Sequence, residues 1–508
     1  MNDFFKVTVN GVERTVRAGS FLSEIVNGEK PCGGHGKCGK CKVIARGELS
    51  EITDAERELL SEAELARGVR LACLTVACGA CTVACGACTV ETIGEADEAR
   101  ILTDSSEVGV DIAPSFEKYG VAIDIGTTTL AARLYGKDGA LLAECSRLNP
   151  QSEFGADVIS RIEAALAGKA DQLADTVRAA LDGMTERLAL SASIDVKEID
   201  SFVITGNTVM LSLLAREDVE PFSHAPFDAK RLFGETLTAA ELGLVSAAPD
   251  AAVYLPPCIS AFVGADTVCA LTATALCERG CAMLVDIGTN GEMALWNNGR
   301  LTVCSTAAGP AFEGVGISMG MRGSSGAIDK VIASEGKLLP HVIGGGSAVG
   351  ICGSGLVDAA AAMLELEIID ETGFLEDDPF PLTEEVSLSA KDIRMLQLAK
   401  SAICAGLQTL TQSAGVEPDG VRELFIAGGF GHYLNKENAA KIGLLPQRIA
   451  EISETVGNAA LGGASMLLLN SDLRETAESM AADAETLELS TSPIFSEKFM
   501  LGMMFEEI

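Results

Sequence analysis

Residues 121–135 read VAIDIGTTTLAARLY, and residues 284–296 read LVDIGTNGEMALW. Each stretch is an apolar run suited to a buried strand, then Asp-Ile-Gly-Thr at a turn, then a second apolar run. The two aspartates, Asp124 and Asp286, stand 162 residues apart, a spacing that suits two duplicated half-domains. Amphipathic helices are expected between the copies, at about 156–166 and 173–190. After the second copy come a glycine-rich helix start at Gly353-Ser354-Gly355 and a long helix over about 391–412. A strand then runs into the glycine turn of LFIAGGFG, residues 424–431. Strands alternating with helices predict mixed sheets covered by helices. Residues 119–508 therefore read as a duplicated α/β domain with half-domains at about 119–280 and 281–508.

The rest of the chain is built differently. At 508 residues it has room for two to four domains of about 150 residues. A composition of 48% hydrophobic and 22% charged residues excludes disorder over any large part. The net charge of −34 excludes sequence-independent binding to nucleic acid, which needs basic contacts to phosphate. Residues 1–90 hold 11 Lys/Arg and 11 Asp/Glu, so the remainder carries the whole imbalance. A neutral N-terminal piece and an acidic body suggest two domains with different tasks. The opening MNDFFKVTVN has neither a basic n-region nor an apolar h-region, and no run approaches ~18 apolar residues. No signal peptide, no membrane span and a cytoplasmic location are the expectations.

In the N-terminal piece, alternation around Asn10-Gly11 predicts a hairpin. A short helix near 21–26, a Gly/Cys loop at 32–41 and a strand from Lys42 follow. Thr53 and Glu56 form a capping box ahead of a helix near 56–66, and a last strand runs to about Thr92. Residues 1–93 thus read as a small α+β, β-grasp ferredoxin-like domain. Residues 94–118, acidic and aperiodic, read as a linker whose r.m.s. span is roughly 25–30 Å if flexible.

Eight of the sixteen cysteines fall in the first 88 residues. In a reducing compartment they read as metal or redox ligands before disulfides. Cys32, Cys38 and Cys41 share one loop, and Cys73 is the candidate fourth ligand, delivered by a later segment. Four converging thiolates are what an iron–sulfur core requires, and the loop glycines let backbone N–H groups face the sulfurs. The spacing C-x5-C-x2-C is one residue longer than the plant-type ferredoxin loop, and structural zinc is the alternative. Cys78, Cys81, Cys85 and Cys88 lie in the heptapeptide VACGACT written twice, at 76–82 and 83–89. Complete identity of the copies favours a tandem duplication within the closing strand or loop over a second metal site.

The duplicated turns point to nucleotide chemistry. Gly126, Thr127, Thr128 and Thr129, with Gly288, Thr289, Asn290 and Gly291, offer N–H groups and hydroxyls that can cradle phosphates. Asp124 and Asp286 are the candidate catalytic carboxylates, able to hold Mg²⁺ through water. Gly428, Gly429, Phe430 and Gly431 form the late glycine turn.

On these motifs, residues 119–508 resemble the actin, sugar kinase and heat-shock chaperone ATPase superfamily. The phosphate motifs fall at 124–129 and 286–291 and the adenosine motif at 427–431. Further strings resemble the reductive activators of corrinoid proteins: Asn149-Pro150-Gln151, the run GADVISR at 155–161, Gly206-Asn207-Thr208, Gly264-Ala265-Asp266-Thr267, and GPAFEG at 309–314. That family carries an N-terminal [2Fe–2S] domain in the same order, so the resemblance spans essentially the whole chain, departing at the VACGACT repeat. It implies an ATP- and Mg²⁺-dependent electron-transfer protein that takes an electron from an upstream donor. The electron returns a corrinoid partner of a methyltransferase system from Co(II) to Co(I). A homodimer is left open. Two rivals stand beside it. A small-molecule kinase with a regulatory cluster would need no reductant, and a redox-responsive binding module under ATP control would move no net electrons.

Overall fold

A computed structural model describes residues 4–9, 12–17, 19–26, 41–60, 65, 68–84 and 103–506. Two compact units divide the chain: Met1–Ala96 with Pro150–Ala167, and Asp97–Asn149 with Gly168–Ile508.

The smaller unit holds a five-stranded sheet in the order Val12–Arg17, Phe4–Val9, Ala77–Ala84, Lys42–Leu49, Val69–Leu71. The first two strands pair antiparallel with Val9 opposite Val12, the register that an Asn-Gly hairpin imposes. Phe4–Val9 runs parallel to Ala77–Ala84, so the first copy of the duplicated heptapeptide lies largely within the closing strand. Residues 85–90, most of the second copy, lie outside the described residues. Val7, Leu22, Val43, Leu71 and Ala77 form the core.

Thr53 caps the helix Asp54–Leu59 as the sequence predicts, with Glu56 returning the capping bond. Glu56 does more than cap. Its fully buried carboxylate accepts from Arg70 Nε at 2.9 Å, Leu71 N at 3.0 Å and Thr75 Oγ1 at 3.0 Å, and so fixes the segment that carries Cys73. Burial opposes its charge, but Arg70 and the N–H donors outweigh burial and hold its pKa at about 2. This contribution to stability is present above pH 4.5 and is lost as pH falls toward 2. Glu56→Ala leaves the buried Arg70 guanidinium without its carboxylate, with only the Ser50 and Glu51 carbonyls as acceptors, and is expected to destabilise this unit by about 3–5 kcal/mol. Calorimetry of the N-terminal transition checks it.

In the larger unit two six-stranded sheets repeat one plan. The first runs Glu235–Thr238, Ala252–Leu255, Ile199–Gly206, Tyr119–Ile125, Thr129–Gly136, Leu141–Leu148. The second runs Ser453–Gly457, Glu423–Ala427, Ala282–Ile287, Gly291–Asn297, Arg300–Thr306, Glu485–Thr486. In both, the strand ending at Asp-Ile pairs antiparallel with the strand after its turn and parallel with a later strand. The helices Ala265–Thr274 and Ala459–Leu469 join the two lobes. A Cβ on Gly463 would lie 1.8 Å from the carbonyl oxygen of Cys269, so glycine lets these helices meet backbone to backbone. The helices expected at 173–190 and 391–412 are Ala170–Ala192 and Ala390–Ser413. Among the described residues no helix is long and apolar enough to cross a membrane.

Two features differ from the sequence reading. Of the expected linker 94–118, residues 94–102 lie outside the described residues, but 103–118 form a strap bonded to the larger unit. Ser106 N donates to Val456 O at 3.0 Å, Val108 N to Ala273 O at 3.0 Å and Ala113 N to Leu469 O at 2.8 Å, while Phe116 is buried. The acidic, aperiodic sequence conceals three apolar anchors, Val108, Val110 and Phe116. Pro150–Ala167, which the sequence places in the first half-domain, belongs to the smaller unit. There the buried Arg161 donates to Gly155 O at 3.1 Å and Gln151 Oε1 at 3.4 Å.

Candidate functional site

Strand pairing places each of the duplicated turns at the end of its own sheet. Asp124 lies opposite Thr205 on the parallel strand, and Asp286 lies opposite Ala427, so each aspartate sits where its strand ends beside a glycine. Gly428 is the tighter case. Its φ is +90°, and a Cβ there would lie 2.6 Å from Asp286 Oδ1, so only glycine admits both the turn and the carboxylate. Gly206 is its counterpart in the first lobe, with a would-be Cβ 2.7 Å from Ile125 O. Next to it Asn207 caps the helix Thr208–Ala215 and donates to Thr127 Oγ1 at 3.2 Å.

Both turns line one cleft of about 300 Å³ in the larger unit. Asp124, Asp286, Gly126, Thr127, Thr128, Thr129, Gly288, Thr289, Asn290, Gly428, Gly429 and Phe430 all reach it. Gly291 and Gly431 do not. Added Cβ atoms there would meet Ile403 Cδ1 at 2.3 Å and Ile426 Cγ2 at 2.6 Å, so these two glycines allow packing behind the wall. Phe430 stacks on Phe312 with ring centres 4.4 Å apart and planes 20° apart, giving the cleft an aromatic wall.

Sequence reasoning assigned no role to several side chains that shape the cleft. Asn458 caps the helix Ala459–Leu469 and donates from Nδ2 to Asp124 Oδ2 at 3.0 Å, while its backbone N–H donates to Asp104 O of the strap at 3.0 Å. Asp266, at the start of the helix Ala265–Thr274, and Glu292, opposite Asp286, add two carboxylates. Glu313 accepts from Thr128 Oγ1 at 2.5 Å and from Thr289 Oγ1 at 2.6 Å. Three of these positions were visible in quoted strings or in the alternation of a strand. Glu313 shows what the strings could not: it joins Thr289, 24 positions away, to Thr128, 185 positions away.

Crowded carboxylates in a cleft resist ionisation. Burial, with the charges of Asp266 and Asp286, pushes Asp124 up to about 7 against the Asn458 hydrogen bond. Burial and Asp266 push Asp286 up to about 7, and burial pushes Asp266 up to about 6. Burial, with Asp266 and Asp286, raises Glu292 well above the usual range. Arg322 is the cation among the lining residues. Such a donor set suits a divalent cation. Among the described residues no three His, Cys, Asp or Glu side chains converge closely enough to hold a bare ion. An ion bound through its own waters and through a ligand's phosphates fits that spacing, as Mg²⁺ usually binds.

A pH dependence follows. These carboxylates hold more protons in the folded chain than in the unfolded one, so the stability of the metal-free chain falls as pH rises through about 7. A cation bound here displaces those protons. Affinity for Mg·ATP is therefore expected to rise from pH 6 to pH 8, by up to about tenfold per unit for each proton displaced. The unfolding temperature without ligand should fall over the same range. Titration calorimetry and scanning calorimetry check the two signs.

In the smaller unit the structure brings two candidate ligands together. Cys41 Sγ lies 3.1 Å from Cys73 Sγ, both buried, and Ala72 N donates to Cys41 O at 2.8 Å. That distance exceeds a disulfide bond of about 2.05 Å. Two buried thiols delivered from separate segments fit a shared thiolate-ligated core. Cys32 and Cys38 lie outside the described residues.

Residues 119–279 match the sequence family described as "RACo middle region", and residues 280–508 match "C-terminal domain of RACo the ASKHA domain". The corrinoid activation enzyme RamQ of Eubacterium limosum is 34% identical over 436 residues, covering 78% of this chain and 72% of that protein. The Co(II) methylated amine-specific corrinoid protein reductase of Methanosarcina barkeri is 26% identical over 423 residues, covering 76% and 77%. Among solved structures, a reductive activator for corrinoid, iron–sulfur protein superimposes with a TM-score of 0.71 at 28% identity. It covers 99% of this chain and 98% of its own.

Proposed function

This chain belongs to the family of reductive activators of corrinoid proteins, and from that premise we propose how its residues divide the work. The protein is an ATP-dependent activator that transfers one electron to a partner's inactive Co(II) corrinoid and restores Co(I). Residues 1–93 are the electron-transfer domain, 94–118 the connection and 119–508 the ATPase. Cys32, Cys38, Cys41 and Cys73 would hold a [2Fe–2S] cluster, which would supply one-electron chemistry replenished by an upstream donor. Glu56 keeps Cys73 in place. Asp124 and Asp286 would hold Mg²⁺, the turns at Gly126–Thr129 and Gly288–Asn290 would receive the phosphates, and Gly428, Gly429 and Phe430 the adenosine.

The observation that carries this reading is the convergence of both Asp-Ile-Gly-Thr turns on one cleft, in a chain that also brings two buried thiols together. Plant-type clusters lie near about −400 mV, and a cluster's surroundings set its potential. ATP helps by favouring a complex in which the cobalt is easier to reduce, because a ligand shifts an equilibrium only by its preference between two states.

The test is anaerobic. A candidate Co(II) corrinoid protein is followed by absorbance with reductant, with and without Mg·ATP, and Co(I) should form with Mg·ATP. Equal rates without nucleotide would end the coupled reading. Cys73→Ser should lose most bound iron while the ATPase domain stays folded, because all four thiolates share one core. Zinc without sulfide in anaerobically purified protein would exclude the cluster.

A further inference from the structure

The nucleotide reading leaves three cleft carboxylates without a task, Asp266, Glu292 and Glu313, and of these Glu313 hydrogen-bonds both Asp-Ile-Gly-Thr turns. It ends the turn Pro310–Glu313, flanked by Gly309 and Gly314 at φ +81° and +74°. Its two oxygens are divided between the lobes, one accepting from Thr128 of the first phosphate turn and the other from Thr289 of the second. The preceding residue, Phe312, stacks on Phe430 of the adenosine turn. A single short turn therefore touches all three nucleotide-binding turns.

Its backbone is fixed from behind. Gly309 N donates to Thr289 O at 2.9 Å. A Cβ on Gly314 would lie 2.6 Å from Met321 O, and one on Gly353 would lie 2.0 Å from Phe312 O, so neighbouring backbone presses on the turn from two sides. The carboxylate is thus held in position, and its acceptors are the same kind that a phosphate oxygen presents to hydroxyl donors. It also adds a negative charge to a cleft already lined by Asp124, Asp266, Asp286 and Glu292.

We infer that Glu313 is a built-in stand-in for a nucleotide phosphate: it clasps Thr128 and Thr289 together and must release at least one of them when ATP enters. The inference rests on the reading of the cleft as the nucleotide site. It makes Glu313 a positioning residue that competes with ATP, and it makes the lobe-to-lobe contact an exchange between an internal anion and an external one. Entry of ATP then loosens the turn that supports Phe312, so adenosine and phosphate contacts change together.

A competitor has a signature that a merely structural residue lacks: removing it improves binding. Titration calorimetry on the anaerobic full-length chain compares the wild type with Glu313→Gln, using Mg²⁺ with a non-hydrolysable ATP analogue and Mg·ADP. Glu313→Gln keeps the shape, loses the charge and weakens the clasp. It should bind the ATP analogue about tenfold tighter, a gain on the scale of one charge-assisted hydrogen bond. The gain for ADP should be smaller. In a Thr289→Val background the gain should shrink, because one clasp partner is already gone. Glu313→Asp withdraws the carboxylate by one methylene, should shift affinity the same way by less, and serves if the glutamine variant fails to fold. Unchanged or weaker binding of the analogue by both Glu313 variants overturns the inference while leaving the nucleotide reading intact. A wild-type chain that binds no Mg·nucleotide overturns both.

Discussion

Asp286→Asn should lower ATP hydrolysis by about 10²–10³-fold while nucleotide binding changes by only a few fold. The size follows from what such a group supplies, since removing one preorganised electrostatic contact to a reacting phosphate typically costs about that much. Asparagine keeps the shape beside Gly428, where a Cβ would already lie 2.6 Å from Asp286 Oδ1. Fold and cleft should therefore survive. Charge is what disappears. Asp286 is pushed up to about 7 by burial and by Asp266, and a bound cation returns it to the ionised state in which it can hold the metal's water. On the proposed reading the two turns and the aromatic wall would supply most contacts to the nucleotide, and the substitution leaves them alone. Phosphate release at saturating ATP, beside titration calorimetry with a non-hydrolysable analogue, separates the two quantities. Hydrolysis at the normal rate would remove Asp286 from the metal site.

The lobes were legible in the sequence because duplication repeats a local signal. An apolar strand, an Asp-Ile-Gly-Thr turn and a second strand can be read within fifteen residues, and the second copy removes coincidence. The long helix was legible over about 391–412, and the structure adds a Ser389–Asp392 capping box at its start. Glu313 declared nothing of the kind. It lies in a turn without periodicity, and its partners Thr128 and Thr289 become neighbours only when both sheets are assembled. Asn458 was hidden for the same reason, since its bond to Asp124 joins positions 334 apart. The strap failed differently. Its acidic composition describes its solvent face, whereas its attachment rests on backbone N–H groups, which any sequence supplies, and on three spaced apolar anchors. Composition cannot report backbone hydrogen bonds.

Two truncations should behave oppositely, although they end only 25 positions apart. Removing residues 1–93 is expected to abolish Co(I) formation, because the cysteines that would hold the cluster go with it, yet leave ATP hydrolysis and its stimulation by a corrinoid partner. Removing residues 1–118 is expected to destroy hydrolysis as well. The difference lies in the strap. Without it the strand Ser453–Gly457 loses the bond from Ser106 N to Val456 O, and the core loses Phe116. Deleting a buried phenylalanine side chain alone costs about 3–5 kcal/mol, a large share of a domain's net stability. Closer to the chemistry, Asp104 O no longer receives the N–H of Asn458, the residue whose side chain holds Asp124 at 3.0 Å. Arg133 loses Glu107 and the Thr103 carbonyl together, leaving its buried guanidinium short of partners. The strap is thus bonded to Asn458, the residue whose side chain donates to Asp124. If a partner that draws on the N-terminal domain pulls on this strap, linkage requires that nucleotide bound beside Asp124 acts back on the strap with the same coupling energy. Phosphate release and unfolding temperature, measured on both truncations, decide the matter. If the chain lacking 1–118 hydrolyses ATP as fast as the chain lacking 1–93, the strap is a passive tether and the coupling runs through another surface.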